Sequence, residues 1–159
     1  MMISEYNKET MAKASGISLP ISRKQAVLVC NFIRYKNLQK AKQMLEEVMQ
    51  KKIAVPYTRF GHGVAHRPGI GPGRYPITTA AEILGLLESA EANAQLKGLN
   101  TSNLVIGDLR VNRASVAWHY GRHRRVRMKR CHVDVILTEK KGEAKQNKAE
   151  KTEKKKEAK

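Results

Sequence analysis

Aromatic residues are scarce in this chain of 159 residues: one Trp, two Phe and five Tyr, or 5%. Any core must therefore be aliphatic, built on Leu, Val, Ile and Ala. Cysteine is scarcer still. Cys30 and Cys131 lie far apart in sequence, and two such residues make no disulfide framework, so buried free thiols are expected. No apolar run approaches the roughly 18 residues that span a bilayer. The opening MMISEYNKET lacks the charged-then-apolar pattern of a secretion signal, which points to the cytosol. Acid is the third shortage, with 14 Asp and Glu against 31 Lys and Arg and a net charge of +17.

The shortage of acid argues against catalysis. Residues 17–139 hold 20 basic and eight acidic residues, a net +12, so the body of the chain is basic apart from its ends. Several of those acids (Glu46, Glu47, Glu88, Glu91) fall on expected solvent faces of helices. Asp108 and Asp134 read as structural counter-charges for Arg110 or His132. No carboxylate pair and no Ser-His-Asp or Cys-His-Asn order stands out. Metal and cofactor sites are not expected either. His62 and His66 sit in a Gly- and Pro-rich stretch that cannot hold them on one helix face, and neighbours Cys131 and His132 point to opposite faces of a strand. The remaining partners for so basic a domain are nucleic acid, an anionic membrane surface or an acidic protein.

Hydrophobic spacing predicts three helices. The first starts at Ser22, where Ser22 and Gln25 fit a capping box, and buries Ala26, Val29, Cys30 and Ile33 before ending near Arg34. The second starts after Asn37, carries Leu38, Ala41, Leu45 and Val48, and ends near Lys52. The third has a capping box at Thr79 and Glu82. Its stripe is Ala80, Ile83, Leu84, Leu87, Ala90 and Ala94, and Gly98 is placed to stop it. The small Ala residues on that stripe favour close approach to a neighbour. Two β-branched runs follow, LVIGDLRVN (104–112) and CHVDVILT (131–138), read as paired strands. Val105, Leu109 and Val111 are expected on one face of the first strand, and Cys131, Val133, Val135 and Leu137 on one face of the second. Residues 1–16 show no sustained period and read as a loose lead-in. The Lys-rich stretch 140–159 is of low complexity and is expected to be disordered when free.

The segment between the two strands is the most informative. Residues 110–130 contain seven Arg, one Lys, two His, one Trp, one Tyr and no acid. Such charge repels itself unless a polyanion neutralises it. Arg suits bidentate phosphate contact, and Trp118, His119 and Tyr120 offer flat surfaces for unstacked bases, a feature of folded RNA more than of duplex DNA. The loop VPYTRFGHGVAHRPGIGPGRYP (55–76) has five Gly, four Pro and three Arg. It lacks the Gly-Lys-Ser/Thr of a phosphate-binding loop and the strand entry of a dinucleotide fingerprint. It reads as an ordered or ligand-ordered loop making backbone-rich RNA contacts through Arg59, Arg67 and Arg74.

Four stretches, in this order and at these spacings, resemble a known family: ISRKQAVLVCNFIRYKNLQKAKQMLEEV, the Gly- and Pro-rich loop, SAEANAQLKGLNTSNLVI and CHVDVILTEK. They are similar to the universal large-subunit ribosomal protein family numbered twenty-two, seventeen in the older eukaryotic count. The loop resembles the archaeal and eukaryotic branch, and the resemblance covers about residues 12–139.

The resemblance implies an α+β fold: three helices packed on a small three-stranded antiparallel sheet, with a long protruding basic β-hairpin. It places the third strand near residues 12–20. It implies a non-enzymatic component of the large subunit, without cofactor, metal, membrane insertion or homo-oligomer. The implied partners are large-subunit rRNA, neighbouring ribosomal proteins and the nascent peptide, with the hairpin tip (about 113–125) lining the peptide exit tunnel. One departure is visible. Only RASVAWHY separates Asn112 from Gly121, where relatives usually carry a longer, Arg-rich run. The expected RNA-binding residues are Arg23, Lys24, Arg59, Arg67, Arg74, Arg110, Arg113, Trp118, His119, Tyr120, Arg122, His123, Arg124, Arg125, Arg127, Lys129 and Arg130. Two competing readings share this composition: a free-standing RNA-binding regulator or chaperone, and an enzyme acting on RNA through His119 or His123.

Overall fold

A computed structural model describes residue 7 and residues 10–140. In chain order the elements are β1 (Met11–Leu19), α1 (Arg23–Ile33), α2 (Leu38–Met49), β2 (Val55–Pro56), β3 (His66–Arg67), β4 (Gly71–Arg74), α3 (Ile77–Leu96), β5 (Leu104–Arg113) and β6 (Cys131–Glu139). The main sheet is antiparallel with order β1-β6-β5, and a second, smaller sheet has order β2-β4-β3. The helices cover the main sheet: α3 packs on β1 and β6, α1 on β5, and α2 closes on α3.

The central strand β6 shows why one face is covered. Cys131, Val133, Val135 and Leu137 are fully buried, and the residues between them are only partly so. This period of two is the mark of a strand with one face on a core. The core is aliphatic, as the composition requires. Leu28, Ile33, Leu38, Leu45, Ile83, Leu87, Leu104 and Ile106 are among its largest fully buried side chains. Each contributes about 1.5–3 kcal/mol relative to exposure. Cys30 and Cys131 are both buried and free. Burial pushes the Cys30 thiol up to about 12, with Arg34 opposing and Cys131 adding to the rise. Burial also raises Cys131.

Strand β1 takes up residues 11–16 of the expected lead-in, in the region where the resemblance places a strand. Its inward residues are Ala12 and Ala14, whose weak strand preference hides the alternation from a sequence reading. The same small residues let α3 come close with its own Ala80, Ala90 and Ala94. Asn93 Nδ2 donates to the Lys13 carbonyl at 3.0 Å, and Lys97 Nζ to the Met11 carbonyl at 2.8 Å, fastening that contact.

Both expected capping boxes are corrected. Ser22 is the N-cap of α1 but makes no side-chain cap hydrogen bond, and α3 is capped three residues earlier than expected, at Pro76. Thr79 lies inside α3, 1% exposed, and its hydroxyl donates to Gln25 Oε1 at 3.3 Å. The two side chains assigned to separate caps instead tie α1 to α3. Helix α2 does start at an Asn37 cap, which accepts from the Gln39 amide. It stops at Met49, short of Lys52, because Lys51 turns left-handed at φ 60°.

The expected face of β5 is also corrected. Ile106 pairs with Leu137 and Asp108 with Ile136, so Gly107 is an extra residue in a β-bulge. The bulge reverses the alternation. Leu104 and Ile106 point inward before it and Leu109 after it, leaving Val105 on the other face.

Candidate nucleic-acid interface

The main-sheet ladder ends at Arg113–Cys131, but pairing continues beyond it. The Ala114 amide donates to the Arg130 carbonyl, the Met128 amide to Ala117 and the His119 amide to Val126. Trp118 and Arg127 form a bridge between these bonds. The chain reverses through a short 3-10 turn at Gly121–His123, with Gly121 at φ 62°. Residues 114–130 thus form an arm that extends β5 and β6. Most of its side chains are in water.

At the root of this arm lies a cleft of about 420 Å³ against the start of α1. Arg23 and Lys24 line it from α1, Arg113 from the end of β5, and Arg127, Lys129 and Arg130 from the arm. Six of the expected RNA-binding residues, separated by more than a hundred positions at the extremes, are brought together here. No acidic side chain lines the cleft. Arg130 is half-buried, and its guanidinium donates to the Ser18 carbonyl at 3.0 Å, which fixes the arm root to the end of β1. Ser22, Val116 and Met128 also line the cleft. Sequence reading missed these three, since nothing local places the α1 start beside the arm.

The remaining expected residues are dispersed. Arg122, His123, Arg124 and Arg125 surround a depression at the arm's turn. Trp118 and Tyr120 are exposed on the arm, and the Arg127 guanidinium lies 4.4 Å from the Trp118 ring centroid. His119 is half-buried and lines a depression that Thr78 and Thr79 of α3 also line. Arg110 is held by an ion pair: its Nε donates to Asp108 at 2.7 Å. Asp108 therefore neutralises Arg110, as the sequence suggested. Asp134 instead accepts from Ser15 Oγ at 2.5 Å, and His132 Nδ1 accepts from the Ser18 amide.

The Gly- and Pro-rich stretch is ordered by the small sheet. The Gly73 backbone is approached by the Arg67 side chain and Ala54, so a Cβ there would sit 3.0 Å from Arg67 Cγ. Arg67 stacks at 5.2 Å on Tyr75 and Arg74 at 5.9 Å on Tyr57, while Arg59 is exposed. Burial pushes the Tyr57 phenol up, with Arg74 opposing. Lys24 lies 5.1 Å over the Phe60 ring, so this stretch borders the same α1 end that lines the cleft.

The profile of the family described as ribosomal protein L22p/L17e matches residues 14–138, from the second half of β1 to the end of β6. The chain belongs to the L22p/L17e family of ribosomal proteins. Among its relatives is a large ribosomal subunit protein uL22 of Thermoplasma volcanium, 43% identical over 112 residues, 70% of this chain and 76% of the relative. The protein of the same name from Methanosphaera stadtmanae is 40% identical over 139 residues, covering 82% and 90%. That of Neurospora crassa is 37% identical over 138 residues, covering 80% and 74%. An L22p/L17e protein is a structural part of the ribosome and not an enzyme, which removes the reading of His119 or His123 as catalytic. Among the described residues, no helix is long and apolar enough to cross a membrane.

Proposed function

We propose that this chain is a structural constituent of the large ribosomal subunit that binds and stabilises large-subunit rRNA in the cytoplasm. The cleft at the arm root carries the reading: six cations from α1, the end of β5 and the arm line one space with no acid among them. Paired or isolated surface charges would be worth little. Clustered guanidinium groups with no acid beside them suit contact with a phosphate backbone. The arm's turn, with Arg122, His123, Arg124 and Arg125, is the part that reaches toward the peptide exit tunnel and the nascent peptide. The Gly- and Pro-rich sheet adds Arg59, Arg67 and Arg74 to the RNA-facing surface, and other ribosomal proteins flank the body. Residues 17–139 act as the ribosomal domain. The basic tail expected over 140–159 lies, beyond Lys140, outside the described residues.

Crosslinking and sequencing of RNA bound to the tagged protein in cells tests this. A few fixed large-subunit rRNA positions, crosslinked within residues 113–130, are expected. A broad spread over messenger RNAs, or sedimentation away from large subunits at moderate salt, would overturn it in favour of a free-standing regulator.

A further inference from the structure

Trp118 is the only tryptophan of the chain, and it keeps 54% of its surface exposed although Arg127 lies over its ring. The exposed indole presents a broad, flat surface to a partner. Its position is not loose. The flanking bonds, His119 amide to Val126 carbonyl at 2.9 Å and Met128 amide to Ala117 carbonyl at 2.8 Å, fix the cross-strand register that sets Trp118 opposite Arg127. Directly opposed residues at such a position stand close enough for side chains to stack. The guanidinium then occupies one side of the indole and holds the ring in a defined plane.

We propose that Trp118, backed by Arg127, is a stacking shelf for a single unstacked nucleobase of the bound RNA. The inference rests on the RNA-binding reading and adds one contact to it. Two observations choose a base over an apolar protein surface. The arm from Ala114 to Arg130 carries five Arg, one Lys and no acid, so its partner must be strongly anionic. Arg127 also lines the cationic cleft, which puts the shelf beside a path for phosphates. A nucleotide offers both an anion and a flat ring. Base–aromatic stacking tolerates any base, so the site selects an exposed base more than a sequence.

The indole itself reports the test. The full chain is titrated with fluorescently end-labelled oligoadenylate, following binding by the label's anisotropy and stacking by tryptophan emission. Inorganic polyphosphate serves as a polyanion without bases. Oligoadenylate is expected to quench the emission about twofold or more at saturation, and polyphosphate to displace it without quenching. Trp118→Leu should weaken oligoadenylate binding about tenfold and Trp118→Phe much less, both leaving polyphosphate affinity unchanged. Oligoadenylate binding without quenching, or equal quenching by polyphosphate, would overturn the shelf and leave RNA binding standing. Absence of any RNA binding would overturn the RNA-binding reading and the shelf with it.

Discussion

Nε of Arg110 donates to one carboxylate oxygen of Asp108 at 2.7 Å, and the acid's other oxygen lies 3.8 Å from the Arg34 guanidinium. Asp108 is 5% exposed and follows the bulge in β5, so one buried acid joins the end of α1 to the strand that leads into the arm. Arg34 also donates to the Leu109 carbonyl. Asp108→Asn keeps the shape but removes the charge facing both guanidinium groups. A loss of about 1–3 kcal/mol in urea unfolding is expected, toward the lower end because both Arg side chains reach water. Unchanged stability would mean that the acid is dispensable.

Helices α2 and α3 end in the same motif with different residues at the left-handed position. At α3, Gly98 (φ 72°) donates to Gln95 and Leu99 to Ala94; at α2, Lys51 (φ 60°) donates to Val48 and Lys52 to Glu47. This is the Schellman pattern, and it favours Gly. A left-handed residue with a Cβ costs about 1–2 kcal/mol. Lys51→Gly should therefore stabilise the protein by about 1 kcal/mol, and Gly98→Ala should destabilise it by a similar amount. Thermal unfolding of the two variants would show opposite shifts; a shared sign would refute the comparison.

The Cys30 thiol sets a limit on alkaline stability. Its ordinary value is 9.0 and burial pushes it up to about 12. Between these values the unfolded chain releases a proton that the folded chain retains. The contribution is full below the unfolded value and is lost as pH rises toward the folded one, by at most about 4 kcal/mol. Cys30→Ala should be less stable near neutrality, since it leaves a small cavity, yet lose less between about pH 8 and about pH 10.5 than the parent chain. Parallel pH profiles for the two would exclude the thiol as the cause.

Neutralising the cleft should act on affinity evenly across RNA sequences. Arg23→Ala, Lys24→Ala and Lys129→Ala each remove one cation at the arm root. Each should reduce the slope of log affinity against log salt by about 0.7–0.9, with no change in base preference. For the parent chain, six to ten phosphate contacts would make affinity fall about a thousandfold or more from low to physiological salt. Binding that is flat in salt would contradict the electrostatic account.

Much of this was legible before the fold was known. The stripes Leu38, Ala41, Leu45, Val48 and Cys131, Val133, Val135, Leu137 are buried as their periods require, because burial of one face is imposed by helix and strand geometry. The stop at Gly98 was equally legible, since few residues but Gly adopt its backbone conformation readily. Strand β1 was not, because its inward residues are Ala. Nor was the bulge at Gly107, whose single extra residue leaves no periodic signal in so short a run. The pairs Ser22–Gln25 and Thr79–Glu82 have the spacing of caps, yet Gln25 and Thr79 serve each other across two helices.

The sequence by itself determined which residues are cationic, that residues 113–130 hold no acid to neutralise them and that the core must be aliphatic. Those are properties of residue type and local order. Only the tertiary structure decided that Arg23 and Lys24 meet Arg113, Arg127, Lys129 and Arg130 around one cleft. The reason is the order β1-β6-β5 with α1 packed on β5, which brings the start of α1 to the root of the arm. Contacts between residues a hundred positions apart depend on how layers stack, and no local period in the chain encodes that.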